Sequence, residues 1–136
     1  MVDKQGYLKL IDLGSAKIMQ NNSGFLQRTF TLIGTPHYMA PEIISGQGYS
    51  YPVDIWSMGI ILYEFMCGQV PFGEECEDPY EIYEYIVRKD ISFPSYMEDQ
   101  QGQKLIRQFL NKVPEIRLGG SYYILKNNEW FKNFDW

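Results

Sequence analysis

A mainly α-helical fold with one short β-strand near the amino terminus is what this sequence predicts, and three observations carry it. Several stretches place apolar residues at helical spacing, or all round a run of helix length. Capping residues or proline open some of these runs and a glycine closes the longest. Only residues 7–11 alternate as a half-buried strand does. With 136 residues, 45% of them hydrophobic and 16% aromatic, the chain is long enough to bury one sizeable core, and one domain is the expectation.

In chain order, Tyr7-Leu8-Lys9-Leu10-Ile11 reads as a strand stub after the Lys4-Gln5-Gly6 turn, and Asp12-Leu13-Gly14 ends it. From residue 15 to residue 39 no period persists. Asn21-Asn22-Ser23-Gly24 and Gly34-Thr35-Pro36 mark a long loop of the kind that carries function. A short helix is expected after Ala40-Pro41-Glu42, then a turn at Gly46-Gln47-Gly48-Tyr49-Ser50. Residues 53–67 are apolar almost all round, which predicts a central helix enclosed by protein, stopped by Gly68. Asp78-Pro79 caps and opens a third helix over residues 80–87. Leu105, Ile106, Phe109 and Leu110 recur at helical spacing within residues 101–110, and Ser121 is placed to cap a last helix through Leu125.

Seventeen acidic against twelve basic side chains give a net charge of −5, which offers no basic field to nucleic acid or an anionic membrane. The most apolar stretch, residues 55–68, holds Glu64 and is shorter than the ~20 residues of a membrane span, so no span is expected. Cys67, Cys76 and the lone His37 have no zinc-ligand spacing and read as ordinary reduced thiols and a loop histidine without catalytic role. The first residues lack a charged start followed by an apolar run, so secretion is not indicated and a cytoplasmic location is expected.

Three motifs stand in one order: Asp12-Leu13-Gly14, then Gly34-Thr35-Pro36 with Ala40-Pro41-Glu42, then Asp54-Ile55-Trp56-Ser57-Met58-Gly59. Singly each is weak; in this order and spacing they resemble the carboxy-terminal lobe of eukaryotic serine/threonine protein kinases. The resemblance covers essentially the whole chain. It implies a partial kinase domain over residues 1–136, an activation segment over residues 12–42, and a helical lobe whose complete family fold is α+β.

The resemblance also assigns roles. Asp12 matches the carboxylate that holds Mg²⁺ on the ATP phosphates, with Leu13 in place of the more usual phenylalanine. Thr31 matches the activation-loop phosphosite, with Thr29 a weaker neighbour, and Lys17 matches a phosphate partner. Leu32, Pro36 and Met39 match the apolar pocket for the substrate residue after the phosphoacceptor. Thr35 matches the hydroxyl that reaches a catalytic aspartate not present in this chain, and threonine there disfavours tyrosine specificity. Glu64 matches a carboxylate that binds a substrate arginine, which implies protein substrates with basic residues before the serine or threonine; its plainer reading is a carboxylate at the solvent edge of the central helix. His37 stands where an acidic residue is common.

Four residues match scaffold. Glu42 and Arg117 resemble the family's buried ion pair, Asp54 an anchor of the catalytic-loop backbone, and Trp56 a residue packed beneath the activation segment. Arg28-Thr29-Phe30-Thr31-Leu32-Ile33-Gly34-Thr35-Pro36, Arg117-Leu118-Gly119-Gly120 and the closing Trp130-Phe131-Lys132-Asn133-Phe134-Asp135-Trp136 are similar to the AGC group. Glu77-Asp78-Pro79-Tyr80-Glu81-Ile82-Tyr83 leans toward its cGMP-dependent members.

These 136 residues contain no Gly-rich loop, strand lysine with its glutamate partner, or His-Arg-Asp catalytic loop. ATP and Mg²⁺ therefore belong to the complete kinase, and the chain by itself is expected to be inactive. Met1 is expected to be an internal methionine of a longer kinase. Its partners would then be the amino-terminal lobe of the same kinase, the protein substrates, and an upstream kinase unless Thr31 is autophosphorylated. The other function class is a noncatalytic kinase-like lobe that binds substrates or partners.

Overall fold

The computed structural model describes residues 1–19, 27–118 and 122–136. Five α-helices are present among them: α1 (Pro41–Ile44), α2 (Pro52–Cys67), α3 (Pro79–Arg88), α4 (Gln100–Phe109) and α5 (Tyr122–Lys126). Short 3-10 turns at Leu13–Ser15, Pro36–Tyr38, Pro114–Ile116 and Glu129–Phe131 bend the connections. The expected Asn21-Asn22-Ser23-Gly24 loop centre and the Ser121 cap lie outside the described residues.

The helices begin and end for local reasons. Proline at the first position of α1, α2 and α3 occupies a site whose N–H would have no helical acceptor. Asp78 accepts from the Tyr80 N–H to cap α3, and Asp99 accepts from the Gly102 N–H to cap α4. Gly68 closes α2 in the left-handed conformation, φ 74°, its N–H on the Glu64 carbonyl.

The core lies between α2 and α4. Trp56, Ile60, Tyr63 and Cys67 face Ile106 and Leu110, with Phe72, Ile82 and Ile86 closing the sides. Gly59 lets the two helices approach: a Cβ there would sit 2.7 Å from Phe109 Cβ. The irregular stretch after α3 is tied down by side chains, Tyr63 donating to the Ser92 carbonyl, Arg107 to that of Ile91 and Tyr96 to that of Cys67.

Two expectations change here. The stub at residues 7–11 does not become a strand; it is reduced to one antiparallel bridge between Val2 and Leu8. A strand needs neighbours to complete its ladder, and the described residues supply none beyond residues 1–3, leaving Leu10 91% exposed. α2 is enclosed on one face only, because Met58, Ile61 and Phe65 form an exposed apolar stripe in line with exposed Asp54. The mainly α class stands. No helix among the described residues is long and apolar enough to cross a membrane.

Candidate functional site

Asp12 is the only non-glycine residue with positive φ among the described residues, at φ 58° and ψ 72°. Such a conformation costs on the order of 1–3 kcal/mol and concentrates at functional sites. One carboxylate oxygen accepts from the Gly14 N–H at 3.3 Å, and the residue is exposed. No group of three or more His, Cys, Asp or Glu that could hold a metal occurs among the described residues. A single presented carboxylate fits Mg²⁺, which is bound through one or two carboxylates together with phosphates and water.

The Pro36–Tyr38 turn lies on α2, and α2 holds it at two points. Ser57 donates its hydroxyl to the Tyr38 carbonyl at 3.0 Å, and the Tyr38 hydroxyl donates to Glu64 at 2.8 Å. Ser57 and Glu64 stand two helical turns apart on one face, so one side chain grips the backbone while the other receives the phenol. The bond to Glu64 is the largest cause raising the Tyr38 pKa, followed by burial and the negative charges of Glu64 and Glu74. His37 hydrogen-bonds the Gly73 carbonyl at 3.1 Å and fastens the other side of the turn.

Met39 is buried next to this turn, Pro36 is half-buried and Leu32 is exposed. Thr35 is exposed at the start of the turn, and its hydroxyl makes no capping bond there. Thr31 is exposed, with its carbonyl receiving the Tyr49 hydroxyl at 2.6 Å. Lys17 donates to the hydroxyl of Thr29, at 3.2 Å, so in this structure the ammonium lies on the neighbour of Thr31.

Glu42 and Arg117 come together from 75 residues apart in a two-pronged pair with N···O distances of 2.7 and 3.0 Å. Both are buried, and the guanidinium also donates to the carbonyls of Asn111 and Pro52. Its Cζ lies 5.2 Å from the centre of the Trp56 ring, which stacks on Phe72 with centroids 6.0 Å apart. A cleft of about 680 Å³ bounded by Tyr49, Ile55, Val113 and Glu115 contains none of Asp12, Thr35 or Glu64.

The family described as "Protein kinase domain" matches residues 1–131. The chain belongs to the protein kinase family. This kinase chain is 47% identical over its whole length to the cGMP-dependent protein kinases of Eimeria tenella and Toxoplasma gondii. It is 34% identical over its whole length to the cAMP-dependent protein kinase catalytic subunit of Arthrobotrys oligospora. It spans 13% of the length of the first two and 25% of the third.

In this kinase chain, sequence reasoning gave no role to Tyr38, nor to Ser57 beyond its place in the Asp54-to-Gly59 motif, although these two tie the turn to α2. The one signal for Ser57 was its seven-residue offset from Glu64 on a predicted helix. For Tyr38, inside an aperiodic loop, no local pattern existed.

Proposed function

We propose that this chain is the substrate-docking and activation-segment half of a serine/threonine protein kinase of the cGMP-dependent branch, which passes the γ-phosphate of ATP to proteins with basic residues ahead of the phosphoacceptor. The observation that carries the reading is the Tyr38 to Glu64 hydrogen bond of 2.8 Å, which presents an oriented carboxylate beside the Pro36–Tyr38 turn and Met39. A carboxylate fixed in this way suits a guanidinium, whose paired N–H groups match its geometry.

The other residues take places around that dock. Asp12 would hold Mg²⁺, which when bound neutralises charge on the β- and γ-phosphates. Thr35 keeps its hydroxyl for the catalytic aspartate of the upstream part. Thr31 accepts phosphate from an upstream kinase or from the kinase itself, with Lys17 close by. Leu32, Pro36 and Met39 receive the substrate residue after the phosphoacceptor. The stripe of Met58, Ile61 and Phe65 beside Asp54 supports a seat for the rest of the kinase, and a cytoplasmic setting with reduced cysteines belongs to the same reading.

The test uses a fluorescent serine peptide with two arginines before the serine, titrated with the 136-residue chain and, separately, mixed with chain and MgATP. Binding without phosphate transfer is expected, and Glu64→Gln should weaken it about tenfold or more, as for a lost charged hydrogen bond. Equal binding of a peptide with alanines for both arginines would sink the docking assignment. Phosphate transfer by the chain alone would sink its inactivity.

A further inference from the structure

The turn at residues 46–50 makes more contacts to the activation segment than a connecting loop requires. Thr29 and Tyr49 exchange both backbone hydrogen bonds, each 2.9 Å, in an isolated antiparallel bridge. Two residues on, the Tyr49 hydroxyl donates to the Thr31 carbonyl at 2.6 Å. On the other side, Arg28 reaches the Gln47 carbonyl at 3.4 Å. Gly48 has φ 79°, and a Cβ built on it would lie 2.7 Å from the Phe30 ring. Four consecutive residues, 28 to 31, are thus each met by the turn.

We propose that the Gly48-Tyr49 turn is a positioning clasp for the phosphoacceptor stretch: it sets the register of residues 28–31 before any phosphate is present, and the Tyr49 hydroxyl on the Thr31 carbonyl is the contact that locks it. The proposal deepens the reading above and rests on Thr31 as the phosphoacceptor for its functional meaning. Pinning the Thr31 backbone leaves the residue exposed and leads the chain onward to Leu32 and the Pro36–Tyr38 turn. The geometry explains why these positions hold these residues. A bulkier residue at position 48 would meet Phe30 and take a conformation that L-residues rarely adopt. Phenylalanine at position 49 would fill the same space but could not donate.

The clasp is tested by amide hydrogen exchange on the unphosphorylated 136-residue chain, so the result does not depend on whether Thr31 is ever modified. Tyr49→Phe should speed exchange of the two bridge amides, Thr29 and Tyr49, by about threefold to tenfold, the cost of one hydrogen bond in local opening. The Gly68 and Lys89 amides, at helix ends that open locally elsewhere, should stay as in the wild type, and the melting temperature should fall by no more than the loss of that one hydrogen bond, which a general loosening would not allow. Gly48→Ala should loosen the same two amides further, and Tyr49→Phe carries the test if that variant does not fold. Unchanged exchange at Thr29 and Tyr49 in Tyr49→Phe would overturn the clasp, as would equal acceleration at Gly68 and Lys89.

Discussion

Arg117 shows what a single residue does here. Its guanidinium satisfies two carboxylate oxygens of Glu42 and two backbone carbonyls, and covers the Trp56 ring. Arg117→Ala leaves Glu42 charged, buried and unpaired, and breaking such a pair from one side costs about 3–5 kcal/mol. Urea unfolding should show a midpoint shift of that size with little change in slope. Arg117→Lys should recover only part of it, because an ammonium cannot make the planar two-pronged contact. Tyr38 acts on a smaller scale. Tyr38→Phe leaves the ring in place and removes one donor from Glu64, so affinity for the arginine peptide should fall about threefold to tenfold while the melting temperature barely moves. A fall in peptide affinity no greater than that of Ser57→Ala at unchanged stability would show that the phenol does not orient the carboxylate.

At the scale of elements, the contact of α2 with α4 decides stability. A Cβ at Gly59 would lie 2.7 Å from Phe109 Cβ and 2.8 Å from Leu110 Cδ2, so Gly59→Ala must push the helices apart. Overpacking of this kind costs about 1–3 kcal/mol, more than the gain in helix propensity, and thermal unfolding should record the net loss. At the start of α4, Asp99 holds the Gly102 N–H and receives the Trp130 indole N–H at 2.8 Å. These bonds, the Gly102 one first, lower its pKa below the usual carboxylate range. A lowered folded pKa stabilises above the unfolded value of about 3.9, and this contribution is lost as pH falls through the folded value. Wild type should therefore lose melting temperature below about pH 4 more steeply than Asp99→Asn, which keeps a cap but not the charge.

Those helices were legible because their period carries the burial: Leu105, Ile106 and Phe109 of α4 and Leu110 at its C-terminal cap, picked out by spacing, are all buried. Residues 7–11 have the alternation of a strand but, among the described residues, only residues 1–3 to pair with, which alternation cannot reveal. The apolar run of α2 reads as enclosed, yet its sequence does not say which partners cover which face. At the site, Glu42 and Arg117 could be matched only through resemblance, since no local rule joins residues 75 apart. Tyr38 and the Tyr49 clasp arise from tertiary placement of loops and left no periodic trace.

At the scale of the whole molecule, the apolar stripe of α2 lies open, with Phe65 80%, Met58 49% and Ile61 40% exposed. Fully burying three exposed side chains stabilises by about 4.5–9 kcal/mol, at about 1.5–3 kcal/mol each, and less here because Met58 and Ile61 are already about half covered. Joining two separate molecules costs an estimated 4–15 kcal/mol in lost freedom. Two copies would bury both stripes, but Met58 and Ile61 are already about half covered, so the gain roughly balances the cost of joining two molecules and holds them only weakly, whereas a segment that other contacts already bring near has no such cost to offset. Self-association weaker than about 10 μM is expected, seen in sedimentation velocity only at high concentration. Replacing the stripe with Ile61→Lys and Phe65→Lys should abolish that association and leave the melting temperature within about 2 °C, because neither side chain is buried in the core. If the double variant instead unfolds, the stripe packs against this chain's own residues in solution. If the double variant self-associates as the wild type does, the sticky surface lies elsewhere, and the stripe loses its claim as the seat for the rest of the kinase.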